Sequence, residues 1–326
     1  MNLRDHKDVV ILGGGIAGCA CSDLLTKSGY SVTIAEKGRG VGGRMSTRRM
    51  SGARIDHGAQ FLTMRDERTR GLFNELMTAG IMEKWYDQNS VSKEIPEGIR
   101  YMGIGGMSSI PKFLSRGSSL ETKFFVDKVK WDGVWYVEEA GEQKRILTAD
   151  ELVITFPPPQ ILELQARSSF IQDQNISDQL GRVHYTKTLA VLCLLEKPTR
   201  LDAPGILTHP NADIDWIADN QIKDISEKPS VIIHSSHEYA EKYWDAEDEV
   251  RIPSLTEVTQ DLLGAKIQEF SCHRWGFAKP LVTFGENHFS DDQTKMTLAG
   301  DGFGGERIEN AMCSGLDAAK SIINRR

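Results

Sequence analysis

The 326-residue chain predicts an α/β fold with two sheets, one parallel and assembled from both chain ends, the other antiparallel and supplied by the middle. Three observations carry that expectation. A β-branched run at 8–12 leads straight into a glycine cluster and a helical stretch. A second run at 296–301 leads into another glycine cluster and a closing helix. Between them lie runs such as 188–195 and 231–234 that suit strands of an antiparallel sheet.

Glycine marks both ends: nine of the 30 fall in the first 43 residues and five more in 300–315. Such clusters mark backbone that bends sharply or approaches a ligand closely, because glycine is otherwise entropically costly. The length suggests about two domains. A composition of 40 % apolar and 26 % charged residues is that of an ordinary globular chain. The net charge of −7 argues against a general nucleic-acid binder, which needs an excess of Lys and Arg. No apolar run approaches the ~20 residues of a membrane span. The run 9–12 is too short for a signal peptide, so a cytoplasmic location without a membrane partner is expected. Cys19, Cys21, Cys193, Cys272 and Cys313 are odd in number and form no CxxC pair, so neither a disulfide framework nor a metal site is expected.

In chain order, the strand 8–12 runs into Gly13-Gly14-Gly15-Ile16-Ala17-Gly18. A helix follows with Ala17, Ala20, Leu24 and Leu25 on one face, and Gly29 is its expected stop. The strand 30–35 then ends on Glu36. This is a Rossmann-type βαβ unit with the dinucleotide fingerprint in context. Gly13 allows the tight turn, Gly15 the approach of a pyrophosphate, and Gly18 close helix–strand packing. The amides at the helix start, at Ile16 and Ala17, face the phosphates. Glu36 accepts from the adenosine ribose hydroxyls and disfavours a 2′-phosphate there.

Lys37-Gly38-Arg39-Gly40-Val41-Gly42-Gly43-Arg44-Met45 continues from Glu36. It is similar to the extension that wraps FAD in two-dinucleotide-domain flavoproteins, with the arginine beside the pyrophosphate. Asp56-His57-Gly58-Ala59-Gln60-Phe61 resembles the segment that nears the flavin ring in the same proteins. Near the C-terminus, 302–305 reads as a loop and 306–324 as a helix. Asp301 is expected to bind a ribityl or ribose hydroxyl. The helix start near Ile308 is expected to aim its amides at the flavin pyrimidine edge.

These segments make the chain resemble the renalase branch of the FAD-dependent amine oxidase superfamily, whose fold is also that of p-hydroxybenzoate hydroxylase-like proteins. The matching stretches are GRGVGGRMSTRR, DHGAQF, GIGGMSSIPKFL, ELVITFPPPQ, HSSHEYA, CHRWGFAKP and GDGFGGERIENAMCSGLDAA. Phe277 stands where many relatives have Tyr. The resemblance implies noncovalent FAD, since 300–307 holds no cysteine. It implies oxidation of 2- and 6-dihydro isomers of NAD(P)H to NAD(P)+, with oxygen returning hydrogen peroxide. It places Val129 near the adenine and Gly105, Gly106 and Met107 on the substrate side of the flavin. His234, Arg274 and Trp275 are the further expected lining of that cavity.

Hydride transfer from a dihydropyridine gains aromaticity and needs no proton removed, so the expected task of the protein is to orient two rings and exclude water. No catalytic side chain is therefore expected. The eight arginines in 39–70 suit anionic dinucleotides. Amine oxidation often adds a lysine near the flavin; Lys187 and Lys279 are the nearest candidates, and both read better as surface charges. An FAD-dependent amine oxidase or desaturase, and a non-catalytic flavin redox sensor, are the alternatives. The expected division gives 1–70, 105–165 and 290–326 to an FAD-binding domain, and 71–104 and 166–289 to an α+β substrate-binding domain. The oligomeric state is not legible.

Overall fold

The computed structural model describes residues 6–87, 98–142 and 144–325. Its centre is the strand His6–Leu12, which pairs in parallel with Val32–Glu36 on one side and Ile146–Ile154 on the other. Val9, Val10, Ile11 and Leu12 are fully buried. Because side chains alternate across a strand, Val9 and Ile11 enter one core and Val10 and Leu12 the other. The first core is roofed by the helices Ile16–Lys27 and Ile308–Ile323, which meet so closely that a Cβ on Gly315 would lie 2.1 Å from the Ala17 carbonyl oxygen.

The parallel strands extend to Ser119–Thr122 on one side and Met296–Ala299 on the other, where His288–Asp291 adds an antiparallel edge strand. The sequence predicts a buried strand over 151–155; it starts earlier, at Ile146. Its first half pairs antiparallel with Trp135–Glu139, which forms a hairpin with Val126–Trp131, as the runs flanking Asp132-Gly133 predict. Only its second half pairs with Met296–Ala299. Pro157-Pro158-Pro159 are expected to stop that strand, which ends at Ile154; Pro158 and Pro159 also open the helix Pro158–Ser168, where a missing N–H costs nothing in the first turn. The expected loop 302–305 forms a helical turn, Asp301–Gly304, because Gly304 and Gly305 donate back to the Gly300 and Asp301 carbonyls.

The second sheet is antiparallel, in the order Ile206–Asn211, Ile214–Asp219, Ser230–Ser235, Thr188–Leu195, Ile267–Trp275. Leu189, Val191, Val231 and Ile233 mark its helix-covered face, where Tyr239 packs against them. Ala190, Leu192, Ala218 and Ile232 mark the other, packed on Ala53 and Ile55 of the short strand Ala53–Asp56. Of residues 71–104, Phe73, Leu76, Met82, Tyr101 and Met102 pack into the core beneath the N-terminal helix, and Trp85 packs both there and on the antiparallel sheet. Residues 88–97 of that segment lie outside the described residues.

Candidate active site

The glycines of the first turn separate by what surrounds them. A Cβ on Gly18 would sit 2.1 Å from the Gly13 carbonyl oxygen, and one on Gly13 would sit 2.6 Å from Thr155 Oγ1. Both positions are glycine for reasons internal to the protein. Gly15 is different: its φ of −73° suits any residue, and no atom lies within 4 Å of where its Cβ would be. A space left open at the start of an uncapped helix fits a dinucleotide pyrophosphate. The first bond of that helix is Cys19 N–H to Gly15 O at 2.9 Å, so the amides of Ile16, Ala17 and Gly18 precede it.

Glu36 ends the second strand and is nearly buried. Its two oxygens accept from Gly14 N–H at 2.7 Å and Gly38 N–H at 2.6 Å. One bond per oxygen leaves lone pairs for two ribose hydroxyls. Lys37 is exposed, while Met45 is buried in the turn Gly43–Met45.

Arg44, from that turn, crosses to the C-terminal glycine cluster. Its guanidinium makes two 2.6 Å bonds to the two Asp301 oxygens and donates to the Phe277 and Ala278 carbonyls. Burial opposes its charge, but the Asp301 carboxylate prevails and holds its pKa above the ordinary value. Tyr185 OH adds a long 3.4 Å contact to Asp301. Residues expected to grip the cofactor separately thus grip one another. Ile308 is the first residue of its helix, half-buried, with Arg307 as an N-cap that makes no side-chain capping bond.

Residues 56–61 are held from four directions. Ala59 N–H donates to the Arg44 carbonyl at 2.8 Å. His234 Nε2 and Trp275 Nε1 both reach the His57 carbonyl, at 3.2 and 2.9 Å. Gln60 Nε2 closes the turn onto the Asp56 and Gly58 carbonyls. Phe61 lies 5.8 Å from the Trp216 ring and under the Arg100 guanidinium. Burial, with Arg48 nearby, pushes the His57 pKa down to about 3 and the His273 pKa down to about 4. Burial also lowers His234 to about 4. Three neutral imidazoles therefore surround Trp275 and the His57 peptide.

The other expected site residues have surroundings of their own. Arg274 is adjacent to Trp275 on one strand, so the two side chains leave opposite faces. Arg274 stacks over the Trp244 ring on the helix-covered side and bonds the Trp244 carbonyl, away from His234. Met107 is fully buried. Its N–H bonds Asp56 Oδ1, and its neighbour Gly106 lies so near Thr47 that a Cβ would come within 2.4 Å of Oγ1. Gly105 is half-buried beside Arg54. Val129 is buried, and its N–H already donates to Ser168 Oγ at 3.0 Å.

Sequence reasoning missed Lys223, which is fully buried and bonds Asp56 Oδ2 at 2.9 Å. Its sequence neighbourhood, Gln-Ile-Lys-Asp-Ile, reads as an ordinary turn and gives no warning. Lys187 pairs with Glu241 and Lys279 is exposed, so these two lysines are surface charges.

Among the described residues no helix is long and apolar enough to cross a membrane. Residues 11–76 match the NAD(P)-binding Rossmann-like domain, and 81–323 match the flavin containing amine oxidoreductase family. The chain is 24 % identical to Renalase of Mus musculus over 96 % of this chain and 98 % of that protein. Its fold resembles cyclohexylamine oxidase of Brevibacterium oxydans, with a TM-score of 0.71, 15 % identity and coverage of 98 % and 99 % of the two chains. A redesigned putrescine oxidase gives 0.69 at 14 % identity, with coverage of 98 % and 99 %. The open space at Gly15, the acid at the end of the second strand and the match over three-quarters of the chain agree: this protein is an FAD-dependent oxidoreductase that belongs to the flavin containing amine oxidoreductase family.

Proposed function

We propose that the protein oxidises 2- and 6-dihydro isomers of NAD(P)H to NAD(P)+. Bound FAD would supply the hydride acceptor, and its two electrons, with two protons, would go to oxygen as hydrogen peroxide. The balance is one isomer, one proton and one oxygen giving one NAD(P)+ and one peroxide. Gly15 and the amides of Ile16, Ala17 and Gly18 receive the FAD pyrophosphate, and Glu36 the adenosine ribose. Arg44 and Asp301 hold the middle of the cofactor between the two glycine clusters. The segment 58–61 would hold the flavin ring, and the amides at Ile308 would serve its pyrimidine edge. The cofactor is noncovalent, because Cys313 is buried within the closing helix and the loop before it has no cysteine.

The observation that carries the choice of substrate is the commitment of the ionisable groups around 56–61. Lys223 is engaged by Asp56 and Gln60, and His57, His234 and His273 are held neutral with hydrogen bonds already made. This suits a reaction in which the protein orients two rings and removes no proton. The end-to-end match to a renalase supports the same reading.

Amine oxidation is the second reading, favoured by the family's own description. The test is anaerobic mixing of FAD-loaded protein with 2- and 6-dihydroNAD(P), ordinary NADH and a panel of amines. Rapid bleaching by the isomers alone is expected. Bleaching by amines alone overturns the proposal, and bleaching by nothing leaves a flavin-binding sensor.

A further inference from the structure

A ten-residue connection between the strands Ile214–Asp219 and Ser230–Ser235 straps the antiparallel sheet onto the segment that leads to 56–61. Asn220 Oδ1 accepts from Asp56 N–H, Ser226 Oγ from Arg54 N–H, and Lys228 Nζ donates to the Ser51 carbonyl. Lys223 is the centre of this strap. Its ammonium donates to Asp56 Oδ2 at 2.9 Å and to the Gln60 carbonyl at 2.7 Å, and its remaining side faces the Trp85 ring at 4.6 Å. Asp56 uses its other oxygen for Thr47 Oγ1 at 2.6 Å and Met107 N–H at 2.9 Å.

A buried ion pair is weak evidence for stability, because an apolar pair of similar volume commonly does as well. This pair, however, touches both ends of one short segment. Lys223 joins residue 56 to residue 60, the stretch between which carries the His57 carbonyl clamped by His234 and Trp275. It also cancels a carboxylate that is itself almost wholly buried. An uncompensated charge at such a place acts through little screening.

We infer that Lys223 is a positioning residue for the flavin: it fixes the 56–60 turn and neutralises Asp56, and so sets how readily the flavin takes up electrons. The inference rests on the reading that 58–61 lies against the flavin ring. Removing the lysine charge leaves the Asp56 carboxylate with its two remaining donors, Thr47 and Met107, and no countercharge. A lone negative charge disfavours the electron-rich reduced ring.

The experiment is a midpoint-potential measurement on FAD-loaded protein by dye equilibration, which needs no substrate and so is independent of the substrate panel above. Lys223→Met is expected to lower the potential, shifting the oxidised-to-reduced flavin ratio at a fixed dye potential roughly tenfold toward oxidised. Adding Asp56→Asn to it is expected to return the potential toward wild type, because the stranded carboxylate is gone. Lys223→Arg, which keeps the charge, is expected to stay nearer wild type than Lys223→Met. Lys223→Gln removes the charge but keeps a donor for the Gln60 carbonyl, and carries the same test if Lys223→Met does not fold. An unchanged potential in the uncharged variants overturns the inference. So does a double variant no closer to wild type than the single one, which is what a merely structural role would give.

Discussion

Arg44 and Asp301 stand 257 positions apart and form a bidentate ion pair, with both contacts at 2.6 Å. The pair closes the two glycine-rich ends of the chain over one another. It also means that the two groups proposed to grip the cofactor are oriented before it arrives. Such pre-organisation lowers the ordering cost of binding.

Replacing Arg44 by Met strands the Asp301 carboxylate, which is only 7 % exposed. A destabilisation of about 2 kcal/mol is expected, below the fully buried range because Arg44 is itself partly open to solvent. Urea unfolding of the FAD-free variant measures it, and gel filtration of the holoprotein should show lost yellow colour. A variant as stable as wild type that keeps its FAD would refute the role given to the pair.

Gly15 and Gly18 should behave in opposite ways. Gly15→Ala places a methyl in open space with an ordinary φ, so the FAD-free fold should keep its unfolding midpoint. Its affinity for FAD, titrated by flavin fluorescence, should fall by roughly tenfold or more through steric contact with the pyrophosphate. Gly18→Ala meets a backbone oxygen at 2.1 Å and should damage the fold itself.

Stability should depend on pH through the neutral histidines. The folded pKa values of His57 and His234, about 3 and about 4, lie below the ordinary 6.5. Between pH 6.5 and 4 the unfolded chain therefore binds protons that the folded one does not. Stability is complete above pH 6.5 and is lost as pH falls, by up to about 1.4 kcal/mol per pH unit for each histidine. Denaturant midpoints at pH 7, 6, 5 and 4 test this. His234→Gln should flatten the slope, and an unaltered slope would count against His234 as a contributor.

Arg274 and Trp275 provide a comparison of neighbours. Trp275→Phe removes one of two bonds to the His57 carbonyl and should cost about 1 kcal/mol while slowing flavin reduction severalfold. Arg274→Ala acts on the far face of the sheet and should leave the reduction rate within roughly twofold of wild type. Stopped-flow reduction of both variants decides it. An Arg274 effect as large as the Trp275 effect would contradict the opposite facing of the two side chains.

Much of the first wall was legible because its signals are local. The run Asp8-Val9-Val10-Ile11-Leu12, the spacing Gly13-Gly15-Gly18 and the acid Glu36 all lie within one βαβ unit, where periodicity and glycine geometry act directly. Element ends shifted where a partner strand intervened, as at Ile146, whose extension depends on Trp135–Glu139. Arg274 and Trp275 are expected together in one cavity, but the strand Ile267–Trp275 puts these neighbours on opposite faces. Which side is covered by helices and which by Ala53 and Ile55 required the assembled sheets.

The sequence by itself determined the dinucleotide-binding turn, the two glycine clusters and the αβ succession around them, because each depends on a few consecutive residues. Only the tertiary structure decided that Arg44 meets Asp301 and that Lys223 meets Asp56, pairs whose members lie 257 and 167 positions apart. A lysine in a turn carries no mark of burial in its neighbours along the chain. Desolvation is a property of what packs around it, and for Lys223 that is supplied by the short strand ending at Asp56, the turn to Gln60 and the ring of Trp85.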